Sequence, residues 1–263
     1  MQIRHILTLL FLLMAPVFLA AQTERSEKKK EKREKISEVL RMQEEGVITY
    51  KKSFAFGAKL INDGYGIFFE LGRAHNIERA LLYQLEITER KSHKEMKFGS
   101  ALPYGTSFIY GKENFFYPVR LGVQQQILLG NKSNKNGVSV TGNLGGGLMA
   151  GMLRPYYVQV LDGRGGLEYV KYQSDDKDKF LNGSILMSGP SFNKGWNELS
   201  VVPGVYTKAA LRFDYGRFNE IITAIEAGIT AEIYSKKIPQ MVFSPNKQFF
   251  FGAYCSILFG KRK

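Results

Sequence analysis

After Gly46 the chain alternates between apolar and other residues with a period of two. Successive side chains of a strand point to opposite faces, so this pattern predicts strands with one apolar face each. Eight such segments are predicted, spanning 49–60, 65–73, 80–91, 114–129, 138–160, 205–215, 220–234 and 248–259. In the last, Phe249, Phe251, Ala253, Cys255, Ile257 and Phe259 fall on one side, and Phe250, Gly252, Tyr254, Ser256 and Leu258 on the other.

The apolar sides carry almost no charge. The second segment offers Tyr65, Ile67, Phe69 and Leu71, and the third Leu81, Tyr83, Leu85 and Ile87. In the first, Lys52 stands near the start, ahead of Phe54, Phe56, Ala58 and Leu60. The opposite sides hold Lys59, Glu70, Glu86, Arg120, Lys208, Arg212, Glu226 and Glu232, of both signs. Two all-β architectures fit. A soluble, lipocalin-like barrel turns its apolar face inward. An eight-stranded antiparallel transmembrane barrel turns it outward and encloses its charges in a narrow interior. Alternation alone does not separate them.

The connections do. In an outer-membrane barrel with both termini in the periplasm, long outside loops alternate with short periplasmic turns. The even-numbered connections here are short: AHNIER, GNKSNKNG and GRFN. Of the odd-numbered ones only INDG is short; the others are 92–113, 161–204 and SKKIPQMVFSPNK. This parity favours the transmembrane reading, and a long loop is more easily carried on a barrel rim than inside a compact soluble domain.

The N-terminus supports export. Arg4 and His5 precede an apolar run from Ile6 to Leu19, followed by Ala20, Ala21 and Gln22. That is the layout of a secretory signal, and the run is too short for a spanning helix. The expected division is a signal over 1–21, a charged periplasmic segment with short helical character over 22–47, and the barrel over 48–260. The segment resembles a basic arm, but its stretch 23–46 carries eight basic and seven acidic residues. It is near neutral and amphipathic only at Ile36, Val39 and Leu40.

The 263 residues contain 37 Lys and Arg against 24 Asp and Glu, a net charge of +13. No nucleic-acid recognition module accompanies that excess. Cations such as Arg154, Arg164, Lys171, Lys177, Lys179 and Lys194 cluster in or near the long loop and read as rim groups facing anionic lipid head groups. One cysteine, Cys255, excludes an internal disulfide framework and falls on the lipid-facing side.

Catalytic chemistry is sparse. His75 lies in a short turn, and His93 follows Ser92 directly, so on a strand the two face opposite ways, without a third orienting group. The run GNLGGGLMAG lacks the Lys-Ser/Thr of a phosphate loop and reads as room for large interior side chains. SDDKDK lacks the later bidentate Glu of a calcium loop. No metal, cofactor or catalytic residue is expected. Glu70, Glu86, Arg120, Arg212 and Glu226 are instead expected to form an interior salt-bridge network that plugs the barrel, because an unpaired charge there is costly.

The signal, the Gly- and aromatic-rich strands and the ending GAYCSILFGK resemble the small outer-membrane β-barrel proteins of Bacteroidetes-type bacteria over 48–260. One PorT-like group of these is associated with a protein-secretion apparatus. The resemblance implies a non-enzymatic accessory or docking component of an envelope, secretion or assembly system in the outer membrane. Its partners would be outer-membrane lipid and a periplasmic or outer-membrane protein. The loop 161–204, with Tyr169, Tyr172 and Trp196, is the candidate partner-contact surface. The competing readings are a lipid-modifying barrel enzyme using His93, and a soluble periplasmic ligand binder.

Overall fold

The computed structural model describes residues 50–76, 78–131, 137–173, 175–216 and 220–263. The signal at 1–21, the charged segment at 22–47 and parts of the short turns lie outside the described residues. Eight antiparallel strands close a barrel: β1 (Lys52–Ile61), β2 (Gly64–Ala74), β3 (Arg79–Arg90), β6 (Asn114–Gly130), β7 (Ser139–Pro155), β11 (Ser200–Asp214), β12 (Ile221–Ile238) and β13 (Lys247–Arg262). Their order around the wall is β1-β13-β12-β11-β7-β6-β3-β2, and β1 pairs with both β2 and β13, so no edge is left open.

The sides are unambiguous. Ile67 is 65% exposed, Leu121 62%, Phe251 58% and Ile257 50%, whereas Lys59, Glu86 and Arg120 are each 1% exposed. Cys255 is exposed on the same outer side as Phe251 and Ile257. Water would penalise that apolar exterior, and only a lipid surround makes it favourable. The soluble barrel with an apolar interior is thereby excluded, and the protein is a membrane-spanning β-barrel.

Two strand boundaries differ from the alternation. The segment 138–160 is not one strand. β7 ends at Pro155, whose ring removes a ladder donor; the Tyr156 amide makes a last bond in the same register to the carbonyl of Glu113 at 2.9 Å. Tyr157 to Leu161 form a separate strand, β8, outside the barrel. Conversely, β11 starts at Ser200 rather than 205, because Pro203 and Gly204 break the apolar pattern without breaking the pairing to β7.

Glycine makes room where interior side chains are largest. A methyl group at Gly151 would stand 2.8 Å from the Tyr234 ring and 2.9 Å from Phe116; one at Gly122 would stand 2.3 Å from the Tyr206 hydroxyl. The glycines of 142–151 thus belong to wall geometry and not to phosphate binding.

At the rim opposite Lys52 and Arg262, the long loops are not irregular. They contain β4 (Lys97–Phe98), β5 (Phe108–Ile109), β8 (Tyr157–Leu161), β9 (Leu167–Lys171), helix α1 (Lys177–Leu181), β10 (Leu186–Ser188) and a single 3-10 turn at Trp196–Glu198. β10, β8 and β9 form a three-stranded sheet, and β4 pairs with β5.

Candidate functional site

Two features occupy the positions from which a barrel acts: its lumen and the rim that carries the long loops. The lumen is filled along its length. Near the cap, Phe116, Met149, Leu153, Val202, Tyr206, Tyr234, Ile238 and Phe250 form one apolar cluster. Phe116, Tyr234 and Phe250 pack edge-on or tilted with centroids 5.4–5.6 Å apart. Toward the termini, Ala55, Phe68, Ile222, Ala224 and Leu258 form another.

Between them lie the ions, in two groups. In the first, Glu86 accepts from Lys59 at 2.7 Å and from Arg120 at 2.5 Å; Arg120 also reaches Glu232 at 2.6 Å. Glu232 takes a further bond from Arg90 at 3.0 Å, and Arg90 lies 3.5 Å from Asp63 near the rim. In the second, Arg212 donates to both oxygens of Glu70, at 2.8 and 2.7 Å, and to Glu226 at 2.7 Å. Glu226 also accepts from Lys208 at 2.8 Å, Tyr254 at 2.7 Å and Asn143 at 2.8 Å. The Lys208 ammonium and the Gln124 amide both donate to Gln84, and the Tyr254 ring lies between the groups, 3.9 Å from the Lys59 ammonium and 5.2 Å from that of Lys208.

Five cations (Lys59, Arg90, Arg120, Lys208, Arg212) therefore meet five carboxylates (Asp63, Glu70, Glu86, Glu226, Glu232). Such pairs hold only if both signs are present and the remaining donors and acceptors are met. The five residues singled out from the sequence all enter the lumen but divide: Glu86 and Arg120 in the first group, Glu70, Arg212 and Glu226 in the second. Arg90, Asp63, Asn143 and Tyr254 were not singled out. Arg90 shares the parity of Glu86, and Tyr254 that of Ser256, so the alternation contains both, whereas Asp63 lies in the INDG turn, outside any alternating segment.

The rim is built into a cap with its own core. Phe108, Ile109, Tyr156, Val158, Val160, Val170, Phe180, Leu186 and Met241 are buried together. They come from all three long loops. The loops are tied by backbone bonds from Ala101 to Met187, Gly189 to Thr106 and Val242 to Gly111, at 2.8–2.9 Å. The Tyr156 hydroxyl accepts the Ile109 amide at 2.8 Å, and burial pushes that hydroxyl up to about 12. Lys112 is buried against Glu95 at 2.9 Å, and burial draws its ammonium below the usual lysine value.

The three aromatic residues expected to form a contact surface sit differently. Tyr172 packs against the cap core and meets Phe180 edge-on at 5.8 Å. Tyr169 is half-buried in β9 beneath the Lys194 ammonium, 5.0 Å from its ring. Trp196 lies against the outer wall, stacked on Tyr117 at 5.8 Å and 17°. Ser92 and His93 make no hydrogen bond to each other among the described residues; the Ser92 hydroxyl accepts from the Lys94 amide instead.

The turn that carries Trp196 is fastened by Glu198, which accepts from Lys171 and from the Tyr157 hydroxyl at 2.8 Å. The hydrogen bond from Lys171, with that from Tyr157, holds this carboxyl below its ordinary value of 4.5. A carboxyl depressed in the folded state stabilises above its unfolded pKa and ceases to do so as pH falls through the folded value. Acidification below 4.5 is expected to loosen the turn and shift Trp196 emission, and Glu198→Gln is expected to remove that acid-side change.

An exterior of exposed apolar side chains, a lumen of matched ions and a closed wall make this an eight-stranded outer-membrane β-barrel. No protein-family model matches the chain, and no curated protein matches it. Among solved structures it is similar to the attachment invasion locus protein Ail of Yersinia pestis, at 12% identity, 82% of this chain, 100% of that chain and a TM-score of 0.38. The complex of Ail with the heparin analogue sucrose octasulfate gives 11%, 82%, 100% and 0.38. Neisserial surface protein A (NspA) gives 10%, 81%, 95% and 0.36. The architecture itself rests on the strand pairing of this chain.

Proposed function

We propose that this outer-membrane barrel is a non-catalytic docking component of an envelope, secretion or assembly system, and that the folded cap is its contact element. The observation that supports this reading is the combination of a lumen filled by side chains with three loops gathered over it on one apolar core. A diffusion pore needs an open lumen, and a core joining three loops holds a surface in one shape for recognition. The finer placement, in the PorT-like group of Bacteroidetes-type barrels, belongs to the same proposal and is drawn from the texture of the strands and the C-terminal segment. The charged segment at 22–47 is proposed as a second, periplasmic contact.

The test uses the full chain in its native membrane. Cross-linking is expected to trap a complex with an envelope protein. Replacing 157–199 by a short linker, or deleting 23–46, is expected to lose that complex while the barrel still inserts. In planar bilayers the protein is expected to show no stepwise conductance, and His93→Ala is expected to leave the mass profile of lipid A unchanged. Conductance steps would return the protein to the pores, an altered lipid profile would move it to the lipid-modifying enzymes, and a complex indifferent to both deletions would end the docking role.

A further inference from the structure

Arg154 differs from the barrel's interior arginines. It is the penultimate residue of β7, paired with Phe115 on β6, and it projects from the outer wall at the cap-side rim. Yet it is only 3% exposed. Its guanidinium carbon lies 4.1 Å from the ring centre of Phe115, 4.6 Å from Trp196, 5.7 Å from Tyr117 and 5.9 Å from Phe192. The rings surround the guanidinium, held in place because Trp196 stacks on Tyr117 and donates its indole N–H to the Phe192 carbonyl at 2.8 Å.

The cation inside is not neutralised. Arg154 Nη1 donates to the Phe192 carbonyl at 3.1 Å, and Nε has no hydrogen-bond partner. Among the described residues no carboxylate forms an ion pair with Arg154, in contrast to Arg90, Arg120 and Arg212. Glu198, in the same turn as Trp196, is already taken by Lys171 and Tyr157. A second cation, Lys194, stands exposed two residues before Trp196. The outermost wall of the box, Phe192, is 77% exposed. Flat rings cover the faces of a guanidinium and leave its edge for a two-oxygen acceptor. Tyr and Trp at a rim occupy the level of lipid head groups, where the anion at hand is phosphate.

We propose that the Arg154 box, with Lys194, binds the phosphate of an anionic lipid head group in the leaflet on the cap side. The site lies on the lipid-facing wall, outside the lumen, and borders the cap core through Phe115. It fixes the height of the barrel in the membrane and ties the 191–198 turn to the surrounding lipid.

Trp196 is the only tryptophan of the chain, so its emission reports on the box directly. The full chain is reconstituted in phosphatidylcholine vesicles containing rising fractions of phosphatidic acid with the same acyl chains. A saturable change in Trp196 emission is expected, which additional neutral lipid does not produce. Arg154→Gln is expected to raise the half-saturating fraction about tenfold, the loss of a charge-assisted bond. Lys194→Gln, at an exposed position, is expected to raise it about fivefold, and it carries the test if Arg154→Gln does not fold. An emission change that inorganic phosphate in the buffer reproduces would make this a soluble-anion site and overturn the lipid assignment. No change in the unaltered chain, or unshifted half-saturation in the folded variants, would overturn the site itself.

Discussion

Glu226→Ala is expected to destabilise the folded barrel by about 3–5 kcal/mol, the cost of breaking a buried ion cluster by removing one partner. Glu226 is the hub of the second lumenal group. Its two oxygens accept from Lys208, Tyr254, Arg212 and Asn143. Truncation leaves Lys208 with only the Gln84 oxygen and strips Tyr254 and Asn143 of their acceptor, while Arg212 keeps its two bonds to Glu70. Glu226→Gln retains one acceptor oxygen, so its loss is expected to be smaller. Urea titration in liposomes, followed by the heat-modifiable gel mobility of the folded form, measures both. The pair Glu168–Lys179, 3.3 Å apart with both side chains about half exposed, supplies the control: Glu168→Ala is expected to change stability by less than about 1 kcal/mol. Equal midpoints for Glu226→Ala and Glu168→Ala would mean that the lumenal ions contribute nothing net.

Phe180→Ala is expected to open the cap and spare the barrel. Phe180 is 1% exposed, presented by α1 into the core shared with Val158, Val160, Val170 and Leu186. Removing a buried Phe costs about 3–5 kcal/mol, more than a small satellite core can lose and stay closed. None of the cap-core residues belongs to the lumenal clusters. Limited proteolysis of membranes should therefore cut within 157–199 in the variant, while the remaining strands keep their heat-modifiable mobility. A cap that resists the protease as well as the unaltered protein does would show that barrel and cap share one stability. If the cap is the docking element, the same substitution also abolishes the cross-linked complex.

The wall of this protein is legible from its sequence because a pleat leaves no choice of side. Once Phe251 and Ile225 face lipid, Glu86 and Arg120 must face inward on strands of matching parity. The cap is not legible in that way. Tyr156, Val158 and Val160 continue the apolar parity of Leu144, Leu148 and Met152, so nothing periodic marks the point where the chain leaves the barrel. The fold of 156–199 depends on contacts with Phe108, Ile109 and Met241, which come from two other loops. For the same reason Tyr172 reads as a surface residue until Phe180 is placed beside it. Arg154 reads as one rim cation among several until Phe192 and Trp196 fold back over it. Which ions pair across the lumen is equally hidden, since parity gives direction but not distance around the circumference.

The lumenal pairing bears on how such a chain enters a bilayer. Arg212 finds Glu70, and Arg90 finds Glu232, across 142 residues of sequence in each case. The β11–β12 hairpin brings Arg212 and Lys208 to Glu226, but Glu70 and Glu232 meet their cations only on distant strands, and a partly zipped wall would leave such charges stranded at a prohibitive cost. Insertion and closure must therefore coincide: β1 seals against β13 in the same cooperative event that brings the distant acids and bases together.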